Sequence, residues 1–309
     1  MQKKAWPYMA GIMDSEGSIS LSISRKSSGY EGFNLMLQAT NTDRKLIDWI
    51  VSNFGGSMCA EIKKNSFAPG SKIFRWVMYG AENQEAFLLG LLPYLVIKKE
   101  QALVGLDFLR LGRGDNTRRR ELWDKVKRLN QEPVPVPDVF SKSKKRAEYA
   151  AGYLDGDGSI CGTYHRGLNI SIVSTDFVVI KWLMANYGGR FHARQRNPKH
   201  KLIYQWFVSG SKNKEKFLLD VIPHLLLKRD RAKMLLEIIR LRQQDLFGRD
   251  AEISHRIFQL NEKIRSLNSG EDSATTDTLS VSEKSEIKTQ SGLAGDSKSA
   301  FVETQEAIN

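Results

Sequence analysis

The sequence is short of cysteine, proline, acid and long apolar runs. Its two cysteines, Cys59 and Cys161, have no ligand spacing, so neither a structural zinc site nor a disulfide framework is expected. No apolar run reaches the roughly 18 residues that a membrane-spanning helix needs. The opening Met1-Gln2-Lys3-Lys4-Ala5-Trp6-Pro7 lacks the apolar core of a signal peptide. Of eight prolines, three stand at alternate positions, Pro133, Pro135 and Pro137, which favours one stiff, extended connector. Acid falls short of base, 35 residues against 47, for a net charge of +12 across 309 residues. The last forty residues hold eight acids and three bases, so residues 1–269 carry +17. Such an excess points to a polyanion, most simply nucleic acid. The expected setting is reducing and rich in nucleic acid: the bacterial cytoplasm or an organelle matrix, mitochondrial or chloroplast.

What the chain does have is one phrase written twice. Residues 8–19 read Tyr-Met-Ala-Gly-Ile-Met-Asp-Ser-Glu-Gly-Ser-Ile, and residues 149–160 read Tyr-Ala-Ala-Gly-Tyr-Leu-Asp-Gly-Asp-Gly-Ser-Ile. The echo continues. Thr42-Asp43 returns as Thr175-Asp176, Asn53 with its Gly55-Gly56 as Asn186 with Gly188-Gly189, and Trp76 as Trp206. Pro93, Lys98 and Ala102 return as Pro223, Lys228 and Ala232. The offset drifts from 141 to 133 to 130, so the second copy has shorter loops. A unit of roughly 120 residues is domain-sized and too long for a solenoid repeat. The expected division is a first half over 1–130, a Pro/Lys-rich linker over 131–145, a second half over 146–268 and a disordered acidic tail over 269–309.

Periodicity gives each half the same order. A short helix over 8–16 ends at Gly17, read as a left-handed cap. Period-two alternation follows, with Ser18, Ser20, Ser22 and Ser24 against Ile19, Leu21 and Ile23. Strands are expected over 33–41, 57–64 and 72–79, and helices over 43–54, 83–92, 98–112 and 117–130. The second half repeats this with a helix over 149–157, strands near 159–165 and 168–174, a helix over 176–187, strands near 190–196 and 202–209, then helices to about 268. The fold class is α+β: two αββαββα halves related by a pseudo-twofold axis, each with a four-stranded antiparallel sheet. The wet faces of the two sheets would form a saddle over DNA.

The repeated phrase carries chemistry. Ala10-Gly11 and Ala151-Gly152 are small enough to let two helix backbones approach closely. Paired in that way, the helices bring Glu16 and Asp157 together at their C-terminal ends, where the helix dipole disfavours anions. A cation relieves that repulsion, and Mg²⁺ is the economical choice. Two carboxylates with divalent metal are a recurrent kit for phosphodiester hydrolysis.

The motifs Met9–Gly17 and Ala150–Gly158 resemble those of the LAGLIDADG homing endonucleases, in their single-chain, two-motif form. The resemblance spans about residues 5–268. It implies that Glu16 and Asp157 are the catalytic, metal-holding acids, assisted by the backbone carbonyls of Ser15 and Gly156. It makes Asp14 and Asp155 structural, puts Lys98 and Lys228 beside the active site, and gives Asn41 and Ser174 a part in ordering catalytic water. It further implies Mg²⁺ as cofactor, with Mn²⁺ substituting, and a monomer that cuts double-stranded DNA to leave 3′ overhangs.

Strand parity supplies the expected DNA-reading residues. In the first half they are Ser22, Ser24, Lys26, Asn34, Gln38, Glu61, Lys63 and Arg75. In the second they are Thr163, His165, Asn169, Ser171, His192, Arg194, Arg196 and Gln205. Arg and Gln suit bidentate contacts to base edges in the major groove. Lys142, Lys144, Lys145 and Arg146 suit phosphates. The two faces differ, so the target should be long and asymmetric. Two other readings stand beside this one. An intron RNA maturase on the same fold would use basic surface away from the sheets. A non-catalytic DNA-binding regulator would have no need of the acid pair.

Overall fold

The computed structural model describes residues 5–269 apart from 26, 28–30, 63–71, 112–113, 139, 141–145, 164–166, 196, 198–199 and 246. Lys26, Lys63, His165, Arg196, Lys142, Lys144, Lys145 and the acidic tail therefore lie outside the described residues. The elements run α1 (Trp6–Ser15), β1 (Gly17–Arg25), β2 (Glu31–Asn41), α2 (Arg44–Phe54), β3 (Ser57–Ile62), β4 (Lys72–Met78), α3 (Ala81–Leu91), α4 (Lys99–Arg110) and α5 (Asn116–Leu129). The order then repeats as α6 (Arg146–Asp157), β5 (Gly158–Thr163), β6 (Gly167–Ser174), α7 (Phe177–Tyr187), β7 (Arg190–Arg194), β8 (Ile203–Phe207), α8 (Ser211–Val221), α9 (Arg229–Gln244) and α10 (Ala251–Ser269). The expected fold class holds: two antiparallel sheets, ordered β1-β2-β4-β3 and β5-β6-β8-β7. The connector after α5 has no regular structure where it is described, and its Val134 and Phe140 pack against the core.

Each sheet has one dry face. Ile19, Leu21, Leu35, Leu37, Ala39 and Trp76 are buried beneath helices in the first, and Ile160, Ile170, Ile172 and Trp206 in the second. The Gly-Gly pairs explain how α2 and α7 stop. Gly55 (φ 79°) and Gly188 (φ 68°) end the helices in a conformation that side chains resist, and their carbonyls accept the indole N–H of Trp76 and Trp206 at 2.7 and 2.8 Å.

The motif helices α1 and α6 are buried all round from Pro7 to Asp14 and from Tyr149 to Asp155, as helices at a molecular centre must be. Their small residues decide the spacing. A Cβ added to Gly11 would lie 2.3 Å from the Tyr149 carbonyl oxygen, and one on Gly152 would lie 2.1 Å from that of Tyr8. Gly17 behaves otherwise than expected. It is not left-handed but begins β1, while Glu16 closes the helix at φ −105°. Glycine is required there because a Cβ would strike Met13 at 2.6 Å, and Gly158 meets Leu154 in the same way at 2.3 Å.

Gly152→Ala should cost at least roughly 2–3 kcal/mol, because backbone on the facing helix must move. Gly114→Ala, with open space around its Cα, should stay within about 0.5 kcal/mol. Urea unfolding of both variants checks the contrast. An equal cost at the two positions would contradict the close-packing account.

Candidate active site

Asp14 and Asp155, within the last turn of each motif helix, organise what surrounds them. The Asp14 carboxylate accepts the backbone N–H groups of Val96, Ile97 and Lys98 at 2.7, 3.0 and 2.9 Å. Asp155 accepts those of Leu226, Leu227 and Lys228 at 2.6, 3.2 and 2.8 Å. Each also takes a tyrosine hydroxyl from the opposite half at 2.8 Å, Tyr149 to Asp14 and Tyr8 to Asp155. These tyrosines open the repeated phrase, yet their partners are invisible in the sequence. Their burial, with the carboxylate charge beside them, holds both phenols well above their ordinary range.

Anchoring the two loops swings Lys98 and Lys228 onto the motif helix ends. The Lys98 ammonium donates to the Asp14 carbonyl at 2.6 Å. The Lys228 ammonium donates to the carbonyls of Leu154, Asp155 and Gly156 at 2.7, 2.7 and 3.2 Å. Cations suit the negative ends of helices. Burial nonetheless lowers both amines, Lys228 to about 8. The Gly156 carbonyl, expected to face a metal, is thus already engaged by Lys228. Ser15 packs against Gly156, where a Cβ would lie 2.1 Å from the Ser15 Oγ and 3.1 Å from the Glu16 Cγ. The two motif ends therefore touch.

Glu16 and Asp157 meet there. Glu16 is partly buried, and burial followed by the charge of Asp157 pushes its carboxyl up to about 7. Asp157 reaches solvent, yet its packed surroundings raise its carboxyl too, while Lys98 and Lys228 pull it back. Asn41 donates to Glu16 at 3.1 Å and accepts the Asp43 N–H at 2.8 Å. Ser174, expected in the matching role, does not reach Asp157. It is buried, accepts the Asp176 N–H at 3.0 Å and takes the Tyr153 hydroxyl at 3.1 Å. Serine is shorter than asparagine, and Tyr153 stands where the first half has Ile12. The donors at the centre are all oxygen, which suits a hard divalent cation. Among the described residues no group of three or more His, Cys, Asp or Glu assembles, so the ligand shell would be completed by phosphate and water.

No family model matches the chain, and no curated protein matches it by sequence. Solved structures do. I-SmaMI bound to uncleaved DNA in the presence of calcium ions is 19% identical, covers 85% of this chain and 99% of its own, and superposes with a TM-score of 0.61. I-GzeII, a LAGLIDADG homing endonuclease in complex with its DNA target, is 14% identical over 84% of this chain and 97% of its own, also at 0.61. I-SmaMI bound to cleaved DNA is 18% identical over 87% and 97%, at 0.59.

The fold is that of the LAGLIDADG homing endonucleases.

In this LAGLIDADG fold the outer sheet faces hold most of the expected reading residues, with corrections. Ser22, Ser24, Asn34 and Gln38 share the outer face of the first sheet, where the Ser22 and Ser24 hydroxyls donate to the carbonyls of Asn34 and Gly32. Glu61 and Arg75 bond each other at 2.9 Å across β3 and β4, and both side chains stay partly exposed. In the second sheet His192 and Arg194 are exposed, Asn169 and Gln205 lie on the same outer parity, and Thr163 ends β5. Ser171 has that parity but is 1% exposed beneath Gln205, whose amide donates to it at 3.3 Å. Ser171 is therefore covered by Gln205 and leaves its hydroxyl off the exposed outer surface. The outer faces also carry residues that sequence reasoning passed over: Cys59 opposite Arg75, Cys161 opposite Asn169, and Phe207 against His192 with centroids 5.5 Å apart. Strand parity alone would have found them.

The raised Glu16 carboxyl predicts a pH signature. The group holds its proton more tightly folded than unfolded, so its favourable contribution is complete below about pH 4.5 and is lost as pH rises to about 7. Glu16→Gln should therefore stabilise the protein at pH 8 without metal, by at most about 3 kcal/mol, and leave it unchanged near pH 4. Thermal melts of both proteins across this range check it. A gain that grew toward low pH would contradict the assignment.

Proposed function

We propose that the chain is a site-specific double-strand DNA endonuclease that hydrolyses one phosphodiester in each strand. The observation that carries this is the contact between the two motif ends, which sets Glu16 and Asp157 side by side where two sheets begin, each with one face left uncovered by helices. The I-SmaMI and I-GzeII structures with DNA support the choice of polymer.

In this reading Glu16 and Asp157 hold divalent metal, Mg²⁺ by preference and Mn²⁺ as substitute, and each serves one strand. Bound there, the metal would supply Lewis-acid polarisation of the phosphate and lower the pKa of an attacking water. The chain's own residues do the rest. Asn41 orients the Glu16 carboxylate. Lys98 and Lys228 lend positive charge beside the scissile phosphates while closing the helix ends. The outer faces grip the major groove on either side, so the cuts fall across the minor groove and leave 3′ overhangs. The unlike faces select a long, asymmetric target, and one chain supplies both sites as a monomer.

Glu16→Gln with Asp157→Asn should abolish double-strand cleavage and leave DNA binding within a few-fold of wild type. Chelation with EDTA should do the same. The unequal sites add a finer expectation: Asn41 steadies only Glu16, so the strands should be cut at different rates and nicked circles should accumulate before linear product. Supercoiled plasmid carrying the target resolves nicked from linear DNA. A double variant that still linearised it at near wild-type rate would sink the assignment.

Arg194 offers a test of the reading face. It is exposed on β7, on the same face as His192. Arg194→Ala should cost roughly 1–3 kcal/mol in binding and relax preference at one or two base pairs within one half-site. Cleavage profiling on a randomised target checks this, and an unchanged profile would move the reading surface elsewhere.

A further inference from the structure

One row of residues crosses the outer face of each sheet at the same register, and the two rows differ. In the first sheet it runs Ser18, Gln38, Val77 and Ser57 from β1 to β3. In the second it runs Ser159, Ser171, Phe207 and Arg190 from β5 to β7. The offsets of the internal repeat match the two rows position by position. Phe207 therefore stands where the first half has Val77, and Arg190 where it has Ser57.

The fold does not demand an aromatic ring at this place. Val77 fills it in the first half and is 6% exposed. Phe207 is larger and stays partly exposed, although β8 is an inner strand with a neighbour on each side. Trp206, the next residue back, takes the dry face and is fully buried, and Phe207 is not among the side chains packed against the core. Its surroundings on the outer face are polar. His192 meets the ring at 65°, with centroids 5.5 Å apart. Arg190 lies directly across on β7 and is exposed, while Ser171 on the other flank is buried. Phe207 is thus the one large apolar group of its row, held from the side by an imidazole.

A base edge offers the major groove one apolar feature, the C5-methyl group of thymine, and phenylalanine is among the side chains that contact it. We propose that Phe207 is a specificity-determining residue of the second half that packs on a thymine C5-methyl group in the target. This inference rests on the reading of the outer faces as the DNA-binding surface. Burial of the methyl group against the ring supplies the favourable term. The first half has no such contact to offer at this register, since Val77 is short and covered and Gln38 presents an amide. The half-sites are then read by different chemistry at matching positions, one by hydrogen bonding and the other by apolar contact.

The full chain is first used to select duplexes from a randomised library by binding alone. Each thymine of the recovered target is then replaced, one at a time, by deoxyuridine, which deletes the methyl group and leaves every hydrogen-bonding atom in place. Binding is followed by fluorescence anisotropy. For the wild type, one such replacement should weaken binding about three- to ten-fold. Phe207→Val installs the residue that the first half already carries at this place. It should bind the parent duplex weaker by about the same factor and no longer distinguish thymine from uracil at that position. A target in which no uracil is felt would overturn the proposal on the wild-type protein alone, whatever the variant does. A methyl preference that survives in Phe207→Val would overturn it as well. Selective DNA binding without any methyl preference would sink this inference only, whereas recovery of no preferred duplex would sink the endonuclease reading with it.

Discussion

The close approach of α1 and α6 is the constraint on which everything else depends. Two helices without side chains at Gly11 and Gly152 can touch backbone to backbone. That spacing alone lets the Tyr8 and Tyr149 hydroxyls cross the interface to Asp155 and Asp14. Those aspartates in turn hold the loops that deliver Lys228 and Lys98. An added methyl group at the crossing would therefore disturb the loops, the lysines and the acids together, although it touches none of them.

The same crossing concentrates charge. Two helix C-termini and two carboxylates meet where water is partly excluded, and burial raises Glu16 and Asp157 alike. The lysines offset some of this, yet they are committed to helix carbonyls and are themselves lowered by burial. The result is a centre with more negative potential than its own residues neutralise, lined by hard oxygen donors. Such a centre is costly in a resting protein and useful to one that must gather a divalent cation beside a phosphate. In the proposed function, stability and chemistry oppose each other at this centre, as they commonly do where carboxylates converge.

Much of this was legible in the sequence because the repeat states it twice. Period-two alternation around Ser18–Ser24 and the paired Gly-Gly stops are local signals, and both sheets follow from them. The motif acids could be singled out because they recur in matching context. What stayed hidden depends on neighbours distant in the chain. Gly17 is glycine because of Met13, not because of its own backbone angle. Ser171 has the parity of a reader but lies under Gln205. Glu61 and Arg75 pair across two strands, and the partners of Tyr8 and Tyr149 lie in the other half. Parity tells which face a side chain takes, but not what already covers it there.

Ser174 shows what a fused pair of halves permits that a symmetric dimer does not. In two identical subunits, any polar group that steadies one acid must steady the other. Here the first half keeps Asn41 against Glu16, while in the second half Tyr153 takes the hydroxyl of Ser174 and leaves Asp157 to the lysines. The exchange is self-consistent, since a buried tyrosine needs a partner for its hydroxyl and Ser174 supplies it. It also gives the two acids different environments at one shared interface. Once the halves are joined in a single chain, their sites can diverge separately, as their outer faces have, and the interface need only preserve the helix crossing that holds them together.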